Sequence, residues 1–255
     1  MRIREQENAK ILEQVREMRE RIDPRLGGRK LHIYLNNWPR FYPGFRVGRD
    51  RLFELLREKD MLIRPRKRTT KTTNSNHRFR CYKNLIKDMD VESPRQVLVS
   101  DITYIRHMDE FYYLALVTDY NSREILGHYL SKDLKAEGAI KALKMAVGKL
   151  DKCKGVIHHS DRGIQYCCTG YIDVLKKHGI KISMTEEDHV YENALAERVN
   201  GILKDEYYLD ELNVGYNESR KIVAEIIELY NNLRIHKSLN YITPKQYYLN
   251  NKKIA

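Results

Sequence analysis

The strongest constraint on the fold is a change of hydrophobic period at Pro94. Beyond it the apolar residues come in three short β-rich runs, Val97 to Ile105, Phe111 to Asp119 and Glu124 to Leu130. Short polar turns containing Asp109-Glu110 and Asn121-Ser122 join them, so the three strands run antiparallel. An amphipathic helix over 136–150 follows, with Ile140, Leu143, Ala146 and Val147 on one face. A strand at 155–159, a helix at 170–178 and a strand at 180–184 complete the pattern. Successive parallel strands need crossover connections, so the expectation is an α/β domain: a mixed five-stranded sheet flanked by helices on both sides. Two long helical patterns, Glu192 to Leu209 and Glu218 to Arg234, close the chain.

Ahead of Pro94 the chain reads differently. A charged helix over 5–21 is followed by Asp23-Pro24 and Leu26-Gly27-Gly28-Arg29, which punctuate a turn. Helical patterns resume over 30–36 and 48–59, the second carrying Leu52, Phe53, Leu55 and Leu56. Residues 1–63 thus form a small helical module, a candidate helix-turn-helix-like DNA-binding unit; an ordinary helical subdomain would give the same pattern. Between Arg64 and Arg80 there are seven Lys or Arg and no acid. We assign 64–93 as a basic linker in which Arg64, Arg66, Lys67 and Arg68 track phosphates, 94–236 as the core and 237–255 as a tail.

Over the whole chain 47 basic residues stand against 35 acidic ones, a net charge of +12 that fits a polyanionic partner. The N-terminus is charged and no run approaches eighteen apolar residues, so we expect no membrane association and a cytoplasmic, nucleoid-associated protein. None of the cysteines, Cys81, Cys153, Cys167 and Cys168, makes the C-x-x-C pair usual in structural zinc sites, and reduced thiols are expected.

Three acids stand out by context. Asp101 lies inside an apolar strand, where an acid is costly to bury unless paired or metal-bound. Asp161 follows a later strand, at the edge of an α/β sheet where sites are assembled. Glu197 lies on a helix. Phosphodiester chemistry on two divalent ions needs a few carboxylates and open positions for water and phosphate, and two strand aspartates with one helical glutamate supply such a set.

The order of the elements is that of the ribonuclease H-like fold, and the motifs resemble one family within it. Asp101-Ile102-Thr103-Tyr104, the run His159 to Tyr166 (HSDRGIQY), and Asn193, Ala194, Glu197 and Lys204 resemble the three motifs of the OrfB transposases of two-reading-frame bacterial insertion sequences. These belong to the DDE superfamily, which includes retroviral integrases. The 35 residues between Asp161 and Glu197 match the family's separation. Tyr230-Asn231, Arg234, His236 and Thr243-Pro244 resemble its closing signature. Leu98 stands where the family often has tryptophan, and Leu26-Gly27-Gly28-Arg29 where it often has Y-G-Y-R.

The resemblance implies a transposase that cleaves insertion-sequence ends and transfers the freed strand. Asp101, Asp161 and Glu197 would be its catalytic metal ligands, holding Mg²⁺ or Mn²⁺, two ions per site. The partners implied are double-stranded DNA (terminal inverted repeats and target), further copies of the chain on that DNA, and an upstream-frame protein or fusion. Lys204, His159, Gln165 and Asn193 are the DNA contacts expected around the site. The alternative is a DNA-binding repressor or domesticated, non-catalytic relative that acts through the N-terminal module.

Overall fold

A computed structural model describes residues 2–37, 46–63, 80–107, 110–186 and 193–252. The expected sheet is present, built from β1 (Val97–His107), β2 (Glu110–Asp119), β3 (Ile125–Ser131), β4 (Ile157–Ser160) and β5 (Lys181–Met184) in the order β3-β2-β1-β4-β5. β1, β2 and β3 form an antiparallel meander, while β4 and β5 run parallel to β1. The parallel pairings follow helical crossovers, first through α4 (Ala136–Val147), then through α5 (Ile164–Cys167) and α6 (Thr169–Lys177). The short α5 carried no periodic signal in the sequence.

Alternation along the strands sorts side chains to two faces. Leu98, Ala115, Val117 and Leu126 pack with Leu143, Ala146, Tyr171 and Leu175 of α4 and α6. On the other face, Ile105, Leu114, Leu116 and Leu130 pack against α7 (Ala194–Tyr207) and α8 (Tyr216–Asn232). Gly127 of β3 is a close approach: a Cβ there would run into the backbone carbonyl of Ala142, so only glycine lets α4 lie so near the sheet.

Upstream, α1 (Arg2–Arg21), α2 (Gly28–Asn37) and α3 (Arg49–Glu58) enclose a separate core of Ile11, Val15, Leu26, Leu31, Leu35, Leu52 and Leu56. Asp23 makes the turn between α1 and α2, its Oδ1 accepting from Arg25 N at 2.8 Å. This core also takes in Ile235, from the segment after α8. The module therefore shares apolar packing with the far end of the chain. Tyr82, Ile86, Met89 and Val91 lie against the main core, and Leu85 N donates to Ser183 Oγ of β5 at 2.8 Å.

The closing segment is tied down by polar contacts. Asn231 exchanges two hydrogen bonds with the backbone of Ile125, 2.9 Å to its N and 3.0 Å to its O. Thr243 caps α9 (Pro244–Asn251): its hydroxyl accepts from Gln246 N while the Gln246 side chain accepts from Thr243 N, both at 3.1 Å. None of the described helices is long and apolar enough to cross a membrane.

Candidate active site

The register of β1 and β4 builds the site. Val97 pairs with Ile157, Val99 with His159 and Ser100 with Ser160, so the next residues on the two chains are Asp101 and Asp161. Parallel neighbours lie about 4.8 Å apart, which brings the two aspartates to the same level. Val97, Val99 and Ile157 pack with Ala196 of α7, and alternation carries Asp101 to that face as well. Asp101 Oδ1 accepts from Ile102 N at 2.9 Å, and Oδ2 accepts from Asn200 Nδ2 of α7 at 2.7 Å. Burial pushes its carboxyl up to about 7, and the negative charges of Asp161 and Glu197 push the same way against those two hydrogen bonds.

Asp161 is held by the turn that follows it. Gly163 N donates to Asp161 Oδ1 at 2.9 Å, and a Cβ on Gly163 would stand 2.9 Å from that same oxygen. A side chain there would press on the carboxylate, which explains the glycine without invoking unusual backbone angles. Glu197 lies in the first turn of α7 and is exposed. The helix is pinned to the sheet by Asn193, whose Nδ2 donates to Ser100 O at 3.1 Å, and by Asn200.

The donor set suits a hard divalent cation in kind: all oxygen, all acidic, and already repelling one another around Asp101. Among the described residues no three His, Cys, Asp or Glu side chains are drawn close enough to hold one ion as placed.

The expected DNA contacts fare unevenly. His159 is fully buried, with its Nδ1 2.8 Å from Ser183 Oγ, a contact that ties β5 to β4. Asn193 is 6% exposed and engaged with Ser100. Gln165 is half-buried, and its Nε2 donates to Leu134 O at 2.9 Å. Lys204 remains part-exposed, with Nζ 3.5 Å from Asp210 Oδ1. Arg64, Arg66, Lys67 and Arg68 lie outside the described residues.

Sequence reasoning missed Asn200, although its place three residues beyond Glu197 puts both on one helical face. It also missed the support beneath the site. Ser100 Oγ and Tyr171 Oη both converge on His158 Nε2, at 2.7 and 2.8 Å, tying β1, β4 and α6 together. Burial and the neighbouring His159 push His158 down to about 3, so its ring is neutral.

Comparison with known proteins places this architecture. Residues 91–189 match a family model described as integrase core domain, and residues 178–244 match a second model of the same description. The simian T-cell lymphotropic virus intasome, determined with a PP2A regulatory subunit, shares the fold at a TM-score of 0.52 and 18% identity, over 88% of this chain and 70% of that one. Fold and matched models together define the class, an integrase-type polynucleotidyl transferase with a ribonuclease H-like core. The uncharacterized 31 kDa protein of insertion element IS600 from Shigella sonnei is 35% identical over 203 residues, 79% of this chain and 75% of that protein. The transposase InsF of insertion sequence IS3A from Escherichia coli K12 is also 35% identical, over 67% of this chain and 59% of InsF. The chain belongs to the OrfB-type transposases of bacterial insertion sequences, in the DDE superfamily.

Proposed function

We propose that this transposase cuts double-stranded DNA at the terminal inverted repeats of its element and joins the freed 3′ ends to target DNA, with Asp101, Asp161 and Glu197 as the metal ligands. The observation that carries the assignment is the β1/β4 register, which sets Asp101 and Asp161 at the same level on adjacent parallel strands, with Asp101 bonded to Asn200 of the helix that bears Glu197. Two Mg²⁺ or Mn²⁺ ions, when bound, would activate the attacking oxygen and stabilise the leaving one.

The chain's own residues orient the ligands. Ile102 N and Asn200 Nδ2 fix the two oxygens of Asp101, and Gly163 N fixes one oxygen of Asp161, so both carboxylates are set before loading. Water and then a DNA 3′-hydroxyl would occupy the same nucleophile position in turn, and the protein chiefly aligns them. The N-terminal module and the basic arm of Arg64, Arg66, Lys67 and Arg68 would hold the DNA ends, with Lys204 nearer the cut. Copies of the chain would assemble on the two ends, and an upstream-frame protein or fusion would add a further DNA-binding unit.

The test uses oligonucleotides carrying the element's ends. Asp101→Asn, Asp161→Asn and Glu197→Gln should each reduce cleavage and joining to background while DNA affinity stays within a few-fold. Normal turnover in any one variant removes that residue from the site. Cleavage by the parent protein without joined product would make it a nuclease, and binding without cleavage a repressor.

A further inference from the structure

Helix α7 is gripped from two sides. Glu206 lies nine residues beyond Glu197, and at 3.6 residues per turn that is two and a half turns, so the two acids lie on opposite faces of one helix. Asn200 holds the Glu197 side to Asp101. The opposite side is held by cations from two distant parts of the chain. Arg234, 3% exposed, clasps Glu206 in a two-pronged contact, Nε to Oε2 at 2.6 Å and Nη2 to Oε1 at 2.7 Å. Lys30 of the N-terminal module reaches the same Oε2 at 3.0 Å.

One helical turn beyond Lys30, on the same face, Tyr34 Oη donates to Leu233 O at 2.6 Å and accepts from Ile235 N at 3.0 Å. Arg234 Nη1 is also 2.9 Å from His236 Nε2. The contact thus joins three elements, the module, the end of α7 and the segment after α8, at one part-buried acid, with the fully buried Asp23 Oδ2 3.9 Å from the same Lys30 Nζ. Burial raises the Glu206 carboxyl, but hydrogen bonds and charge from Arg234, then the charge of Lys30, outweigh it and hold Glu206 ionised.

We propose that Glu206 is a positioning residue: clasped by Arg234 and by Lys30 of the N-terminal module, it sets the rotation of α7, and so couples the module's seating to the placement of Glu197. The inference rests on Glu197 being a metal ligand. Val199, Ile202, Leu203 and Tyr207 seat α7 in the core, and the Glu206 grip adds a directional polar contact that fixes the C-terminal end of the helix against rotation. Because the second grip includes the module, a displacement of the module reaches Glu197 through a helix 14 residues long. Engaging DNA through the module would in this way order the third ligand.

The test compares the full-length parent with Lys30→Met, Lys30→Arg and Glu206→Gln. Amide exchange is followed in the metal-free proteins, and Mg²⁺ dependence in end cleavage. Lys30→Met leaves Glu206 its arginine, while buried Asp23, 3.9 Å from Lys30, can take up a proton in its place, so the fold should be kept. It should speed exchange in the 194–204 stretch about tenfold while β1 and β4 stay protected. The Mg²⁺ needed for half-maximal cleavage should rise severalfold at unchanged DNA affinity, and Lys30→Arg should restore both. Glu206→Gln should do the same more strongly. Unchanged exchange in α7, or exchange raised evenly across the core, overturns the proposal, since the contact would then be idle or merely structural. If Glu197→Gln cleaves normally, the metal-ligand reading fails instead, and the exchange data still decide whether the grip orders the helix.

Discussion

Asp101 and Glu206 are two acids on opposite sides of α7, and they are treated in opposite ways. Around Asp101 burial and two neighbouring acids all oppose ionisation, against hydrogen bonds from Ile102 and Asn200. Around Glu206, Arg234 and Lys30 supply enough positive charge and hydrogen bonding to overcome burial. An acid with its cations in place is complete and serves structure. One surrounded by like charge is incomplete, and a protein keeps such a cluster where a cation or substrate completes it.

The contrast predicts opposite stability effects. Arg234→Ala leaves Glu206 with Lys30 alone, beside Asp23, and should cost up to about 3–5 kcal/mol, the loss found when one partner of a buried pair is removed. Asp101→Asn relieves repulsion and should leave the metal-free protein as stable as before or more so. Urea midpoints of the two variants decide the matter. Equal losses would mean that Asp101 is as structural as Arg234 and that the comparison is wrong.

A smaller effect is expected with pH. With its carboxyl raised to about 7, native Asp101 keeps a proton that the unfolded chain releases near pH 4. The unfolded state therefore binds fewer protons across that window, and stability falls as pH rises from about 4 to about 7, then levels. Asp23, pushed up to about 8 by burial and then by Glu206, acts in the same direction. His158, pushed down to about 3, acts the other way, losing stability as pH falls below about 6.5. Both are shared by parent and variant, so the difference in melting temperature between parent and Asp101→Asn isolates Asp101. That difference should grow between pH 4 and 7. Mg²⁺ at pH 8 should raise the parent's melting temperature and not the variant's, because only the parent offers the full ligand set. A flat difference curve would place Asp101 outside the acid cluster.

How far the sequence carried these conclusions follows from the kind of signal each residue leaves. Period-two runs and short turns disclosed the meander, and Asp101 was legible because an acid in the apolar run VLVSDITYI has no cheap structural explanation. Glu206 left no such mark, since an acid in LKDEY on an amphipathic helix looks like any solvated charge. Its meaning comes from Lys30 and Arg234, 176 and 28 residues away, and pairings of that range have no local pattern. His159 and Asn193 show a different limit, since their burial left no local pattern either. Polar residues beside catalytic acids invited a DNA role, whereas the register of β4 with β5 and the docking of α7 on β1 turned both inward.

The smallest predicted effect concerns Lys204, which falls between the two acids in both position and character. Seven residues beyond Glu197, it shares that acid's face of α7, yet its Nζ is 3.5 Å from Asp210 Oδ1, with side chains 24% and 37% exposed. A part-exposed pair of this kind contributes at most about 1 kcal/mol, so Lys204→Ala should barely move stability. If the lysine leaves Asp210 for a phosphate near the cut, Lys204→Ala should lower end cleavage and crosslinking a few-fold, and Lys204→Arg should keep part of both. Asp210→Asn then provides the sharper measurement. Releasing the lysine from its intramolecular partner should tighten binding to end DNA and steepen its salt dependence by up to about 0.9 in log–log slope, one phosphate contact's worth. If instead Asp210→Asn and Lys204→Ala both bind and cleave like the parent, the pair is an ordinary surface contact, and the DNA does not cross this stretch of α7.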